Sequence, residues 1–139
     1  MKKIGKLIHT VDIKLKRRID RLADSYGLTT VQFIVMEWIY LLSKKQDVFQ
    51  KDLEAVLDVR RSTISNVLGI LEQKGYILRE SVPADARLKK LSLTASGEEI
   101  YLGFESYLMQ NEAEDFQIFS PEERELLVSL LERLGSSLK

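Results

Sequence analysis

The chain has 139 residues, 45% hydrophobic and 30% charged, a globular composition that fits one domain or two closely integrated subdomains. It has no cysteine and a single histidine, His9, which excludes disulfides, thiolate metal ligation and thiol redox switching and leaves little for a transition-metal site or a histidine base. The net charge of zero is unevenly spread: residues 1–49 carry ten Lys/Arg against five Asp/Glu, residues 50–94 eight against six, and residues 95–139 three against ten, so the first two thirds can supply a cationic surface and the last third cannot.

The first element is a helix from about Lys3 to Ser25. Ile4, Leu7, Ile8, Val11, Leu15, Ile19 and Leu22 recur at helical spacing, and Lys14, Lys16, Arg17, Arg18 and Arg21 occupy other faces. The basic N-terminal residues are not followed by the apolar run of a signal peptide, and the longest apolar stretch, residues 33–42, is interrupted by Glu37 and too short to span a bilayer. No membrane association is expected, and the location expected is the cytoplasm. A second helix begins at Thr29 or Thr30, where Thr29 and Gln32 have capping-box spacing. It is apolar almost all round, as a central, covered helix must be.

A short third helix, about Gln50 to Leu57, is expected to bury Leu53 and Val56, with a tight turn at Asp58–Val59. The fourth, about Arg61 to Lys74, turns Ile64, Val67, Leu68 and Leu71 inward and ends at Gly75. Residues 76–82 and 88–94 read as two strands joined by a turn over Pro83 to Arg87. Thr94 caps a fifth helix of about twenty residues with Ile100, Tyr101, Phe104, Tyr107 and Leu108 on one face. Ser120, Pro121 and Glu123 stand as N-cap, N1 and N3 of a sixth, whose stripe is Leu126, Leu127, Leu130, Leu131, Leu134 and Leu138. The fold class expected is mainly α with a small two- or three-stranded antiparallel β wing. Residues 29–96 form a winged helix-turn-helix, and residues 1–28 and 97–139 a helical dimerisation region integrated with it.

Functional chemistry concentrates in the fourth helix and the hairpin. With the apolar residues of the helix inward, Arg60, Arg61, Ser62, Ser65, Asn66 and Gly69 face outward near its start. Arginine can donate two bonds to guanine, asparagine can pair with adenine, and serine reaches bases or phosphates. The same pattern also fits a solvated amphipathic helix, and Thr63 suits packing or capping as well as DNA contact. In the hairpin, Arg87 lies at or near the tip with Lys89 and Lys90 behind it, a projection suited to a narrow minor groove. Asp85 can orient the Arg87 guanidinium through a bidentate pair; the bland alternative is a surface hairpin with a weak ion pair. The apolar stripes of the first and last helices suit a homodimer interface, or packing on one another within one chain. Neither a phosphate-cradling glycine loop, a nucleophile–base pair nor a metal-ligand cluster is present, so no enzymatic activity, cofactor or metal is expected.

Gly27-Leu28-Thr29 with Gln32-Phe33, Gln50-Lys51-Asp52-Leu53, Arg61-Ser62-Thr63-Ile64-Ser65, residues 71–77, Asp85-Ala86-Arg87 and residues 91–97 occur in an order and spacing that resembles the MarR family of bacterial regulators over nearly the whole chain. The resemblance implies a triangular homodimer with one winged helix per lobe, binding a pseudo-palindromic double-stranded operator, most often as a repressor. It places Ser62, Thr63, Ser65 and Asn66 at the major groove and Arg87, oriented by Asp85, at the minor groove. Arg60 stands where relatives often have a small capping residue, which suggests a phosphate contact for it, and Lys89 adds charge to the wing. Ala86 replaces a second arginine common in relatives, making this wing less basic. The resemblance further implies a small aromatic or anionic effector in a cleft between dimer core and DNA-binding lobe, with Arg18, Tyr26, Trp38 and Tyr40 as candidate contributors. The alternative function is a protein-interaction module that retains the fold without binding DNA.

Overall fold

A computed structural model describes residues 2–139; Met1, the first residue of the expected dimerisation segment, lies outside them. The described residues contain α1 (Ile4–Ser25), α2 (Thr30–Ser43), α3 (Gln50–Val56), α4 (Arg61–Gln73), β1 (Ile77–Val82), β2 (Asp85–Leu93), α5 (Ala95–Asp115) and α6 (Pro121–Ser137). A single 3-10 turn over Phe116–Ile118, which the periodicity does not announce, precedes α6. The chain divides into two compact units, residues 1–104 and 105–139.

The core of the first unit is built around α2. The Thr29 hydroxyl accepts from the Gln32 amide while the Gln32 side chain accepts from the Thr29 amide, so the helix starts where its local chemistry dictates. Phe33, Val35, Met36 and Ile39 of α2 are buried, together with Leu53 of α3, Ile64, Val67, Leu68 and Leu71 of α4, Ile77 and Leu91 of the hairpin, and Tyr101 and Phe104 of α5. Phe33 stacks on Phe104 with centroids 3.7 Å apart, and the Tyr26 ring meets both edge-on. Gly75 follows α4 at φ 79°, a left-handed conformation that glycine adopts without Cβ strain, and the turn delivers the chain into β1.

The two strands pair antiparallel from Ile77↔Leu93 to Ser81↔Lys89. Val48 forms an isolated bridge with Leu91, so the sheet is two-stranded with one further backbone contact. The loop of the hairpin is shorter than expected. Only Pro83 and Ala84 turn; Asp85 already pairs with Val82, and a register shift leaves Ala86, Arg87 and Leu88 without partners on β1. Arg87 therefore sits on a strand bulge and not in the turn. The cause is local: the Asp85 carboxylate accepts from the Arg87 backbone amide at 2.9 Å, which bends the strand just after it starts.

Three other expectations are corrected. Val56 is 41% exposed although it stands one helical turn from buried Leu53, at the last residue of α3. Leu57 is extended and the chain merely bends at Val59, so Asp58–Val59 is not a tight turn. Tyr107 is 54% exposed; it lies in the second unit, beyond the first unit's last core residue, Phe104.

In the second unit Ser120 and Glu123 close a reciprocal capping box, with Pro121 at the first helical position. Phe116 and Phe119 pack 6.2 Å apart. The apolar stripes at both ends of the chain remain open: Ile4, Leu7, Ile8, Val11 and Leu15 of α1, and Leu126, Leu130, Leu131 and Leu134 of α6 with Leu138 at its C-cap, are all exposed.

Candidate nucleic-acid interface

α3 and α4 form the helix-turn-helix. The four inward residues of α4 hold it against the core, leaving Arg60, Arg61, Ser62, Ser65, Asn66 and Gly69 exposed as expected from their spacing. Thr63 is half-buried, so the structure separates it from the exposed set. Arg60 is the N-cap and no side chain caps the helix, which leaves its first turn accessible to an external acceptor.

Between α3, α4 and the hairpin lies a cleft of about 220 Å³, lined by Gln50, Lys51, Arg61, Arg79, Arg87 and Lys89 together with Glu54 and several apolar residues. Five cations and one carboxylate line it, and with Glu72 and Asp85 paired to two of those cations the local balance is still positive. Glu54 approaches the Arg61 guanidinium at 3.5 Å, and Arg79 reaches Glu72 at 3.7 Å. Buried Arg79 Nε has no hydrogen-bond partner.

The Arg87 side chain is 91% exposed and held at its base by Asp85: Oδ1 accepts from Nε at 3.3 Å, and Oδ2 lies 3.5 Å from Nη2. Lys89 donates to Ser81 Oγ at 2.7 Å, and Lys90 pairs with Asp47 at 3.3 Å. The bulge thus presents one arginine outward, while the two lysines behind it are engaged by Ser81 and Asp47. Gln50, Lys51 and Arg79 join the cleft although sequence reasoning did not single them out. Gln50 and Lys51 belong to a stretch noted only for its resemblance, and nothing local marks Arg79, whose placement depends on strand pairing.

The four residues considered for an effector cleft have the following surroundings. Tyr26 belongs to the Phe33–Phe104 ring cluster, whereas Tyr40 leans on Tyr101 with centroids 5.1 Å apart and carries Lys44 over its ring at 4.3 Å. Trp38 and Arg18 are half-buried on α2 and α1. Among the described residues no cluster of His, Asp or Glu could hold a metal ion, and no helix is long and apolar enough to cross a membrane.

Comparison with known proteins places this geometry among relatives. A family model described as MarR family matches residues 26–88. A transcriptional regulatory protein for the hcr operon of Thauera aromatica is 31% identical over 96 residues, which are 69% of this chain and 58% of that protein. The chain thus spans under two thirds of that relative's length. The MepR–DNA complex of S. aureus superposes with a TM-score of 0.84 at 26% identity, covering 99% of this chain and 100% of that one. Wild-type MarR from E. coli does so with a TM-score of 0.79 at 25% identity, covering 96% and 98%.

Proposed function

We propose that the chain is a transcription regulator of the MarR family, as the family-model match over residues 26–88 and the relatives support, and from that premise that it binds a pseudo-palindromic double-stranded operator as a homodimer and represses transcription by occluding the promoter. The observation that carries the proposal is the union of an open α4 face with a basic cleft: Ser62, Ser65 and Asn66 are exposed beside Arg61, and Arg61 and Arg87 line the same cleft. In this reading α4 enters the major groove, Arg60 and Arg61 meet phosphate or guanine, and Arg87 enters the adjacent minor groove with Asp85 fixing its fork. Lys89 adds to phosphate attraction, and Thr63 supports the helix from its half-buried place. A solved relative in complex with DNA supports DNA binding.

Residues 29–96 are the reading head in this proposal, and residues 1–28 and 97–139 the dimerisation region. The exposed apolar stripes of α1 and α6 support it, since monomers rarely leave such faces in water. A solution mass of twice the subunit is expected by sedimentation at micromolar concentration; a single-subunit mass contradicts the dimer. A small aromatic or anionic effector releasing the protein from DNA, with Arg18, Tyr26, Trp38 or Tyr40 contributing, completes the proposed cycle in the cytoplasm.

The test of DNA binding is a salt titration on duplexes selected by the protein from a randomised pool. Phosphate contacts displace counterions, so with six or more of them affinity is expected to fall on the order of a thousandfold between about 50 and 200 mM salt. A flat dependence, or no selected duplex, favours a protein-interaction module instead.

A further inference from the structure

A serine or threonine hydroxyl within a helix can donate back to a carbonyl of its own helix. Thr10, Ser25 and Ser137 do this here, donating to the carbonyls of Lys6, Leu22 and Leu134 at 2.9, 2.6 and 2.9 Å. Ser65 in α4 behaves differently. Its Oγ accepts a hydrogen bond from Nε2 of Gln50, the first residue of α3, at 2.8 Å. A hydroxyl has one proton and two lone pairs. With a lone pair occupied by Gln50, the Ser65 proton is left for an external acceptor, and Ser65 lies on the exposed face with Ser62 and Asn66. The amide orientation is also the electrostatically favoured one, because Gln50 lines the cleft with Lys51, Arg61 and Arg87, where a carboxamide oxygen is better placed than its nitrogen.

From this we infer that Gln50 is a positioning residue, which holds the Ser65 hydroxyl as a hydrogen-bond donor toward an acceptor on the DNA: a base N7, O6 or O4 in the major groove, or a phosphate oxygen. The inference rests on the DNA-binding reading of α4 and adds the polarity of one contact to it. Preorganising one donor in each half-site removes the rotor freedom that Ser65 would otherwise lose on binding.

The experiment is a double-mutant cycle on the full-length protein with a duplex selected by the wild type from a randomised pool. Gln50→Ala and Ser65→Ala are each expected to weaken binding about tenfold, the order expected for one net hydrogen bond per half-site in a two-headed protein. The pair combined is expected to bind no more weakly than Ser65→Ala alone. Gln50→Met, which keeps length and packing, should match Gln50→Ala, with thermal unfolding of the free protein unchanged in all. Gln50→Glu tests polarity: its carboxylate draws the hydroxyl proton to itself, so its cost should be larger with Ser65 present than in the Ser65→Ala background, where only charge repulsion remains. If the acceptor is a base, Gln50→Ala relaxes sequence preference at one position per half-site; if it is a phosphate, binding weakens uniformly across sequences. A Gln50→Ala cost that persists undiminished beside Ser65→Ala, or a silent Gln50→Ala, overturns the inference while wild-type binding leaves the DNA-binding reading standing. Wild-type protein that selects no duplex overturns both.

Discussion

Gly97→Ala is expected to cost about 3 kcal/mol or more of folding stability and to lower the unfolding temperature on the order of 10 °C. A Cβ on Gly97 would stand 2.0 Å from the carbonyl oxygen of Tyr76, 2.8 Å from its carbon and 3.0 Å from its Cα. Neither side can retreat cheaply. The Tyr76 carbonyl accepts from the Thr94 amide at 3.0 Å, and the Tyr76 amide donates to the carbonyl of buried Leu71 at 2.9 Å. Thr94 in turn donates through its hydroxyl to the Gly75 carbonyl and accepts from the Gly97 amide. Moving α5 away would break the cap that starts it and the closure at the base of the hairpin together. Gly103→Ala is the control in the same helix: its nearest neighbour would be the Tyr26 hydroxyl at 3.5 Å, ordinary contact, so no loss is expected and helix propensity favours a small gain. Thermal denaturation of both variants followed by circular dichroism measures the difference. Equal melting of Gly97→Ala and wild type would mean that the close packing of α5 on the wing base is not needed for folding.

This constraint shows where reading residues in order succeeds and where it stops. The starts of α2 and α6 were legible because capping is a three-residue affair: Thr29 with Gln32 and Ser120 with Glu123 satisfy the free amides wherever the helices sit in the fold. The buried face of α4 was legible because four apolar residues share one helical stripe and each is buried. Val56 and Tyr107 occupy the same kind of stripe and are exposed, since burial also requires a neighbour across the gap, and periodicity carries no information about neighbours. The hairpin tip is not legible from composition, because Pro83-Ala84-Asp85-Ala86-Arg87 has turn composition throughout, while a single side-chain-to-amide bond from Asp85 converts its second half into a bulged strand. In the candidate interface, the exposed residues of α4 and the Asp85–Arg87 pair were accessible from spacing. The Gln50–Ser65 bond joins residues 15 apart in sequence on different helices, and Arg79 enters the cleft through strand pairing. Such contacts exist only after tertiary packing.

Arg87→Ala should leave folding and dimer mass unchanged and reduce affinity for a selected duplex on the order of a hundredfold. The first half follows from exposure: a side chain 91% in solvent, paired at 3.3 Å to one carboxylate, contributes at most about 1 kcal/mol to stability. The second follows from charge-assisted hydrogen bonds in a confined groove, each worth about 1.5–3 kcal/mol and present once per half-site. With Ala86 beside it, no second arginine on the bulge can substitute. Arg87→Lys keeps the charge but loses the planar fork, so it should recover phosphate attraction and the salt slope without full affinity. Asp85→Asn, whose Oδ1 can still accept from the Arg87 amide and so keep the bulge, separates orientation from attraction. It removes a negative charge near the phosphates, which favours binding, and frees the guanidinium, which disfavours it. A loss of about threefold or more in that variant means that the ordering entropy outweighs the removed repulsion, as a preorganised arginine requires. A gain in affinity would mean that Asp85 only restrains Arg87 in the free protein, and undiminished binding by Arg87→Ala would exclude the wing from recognition altogether.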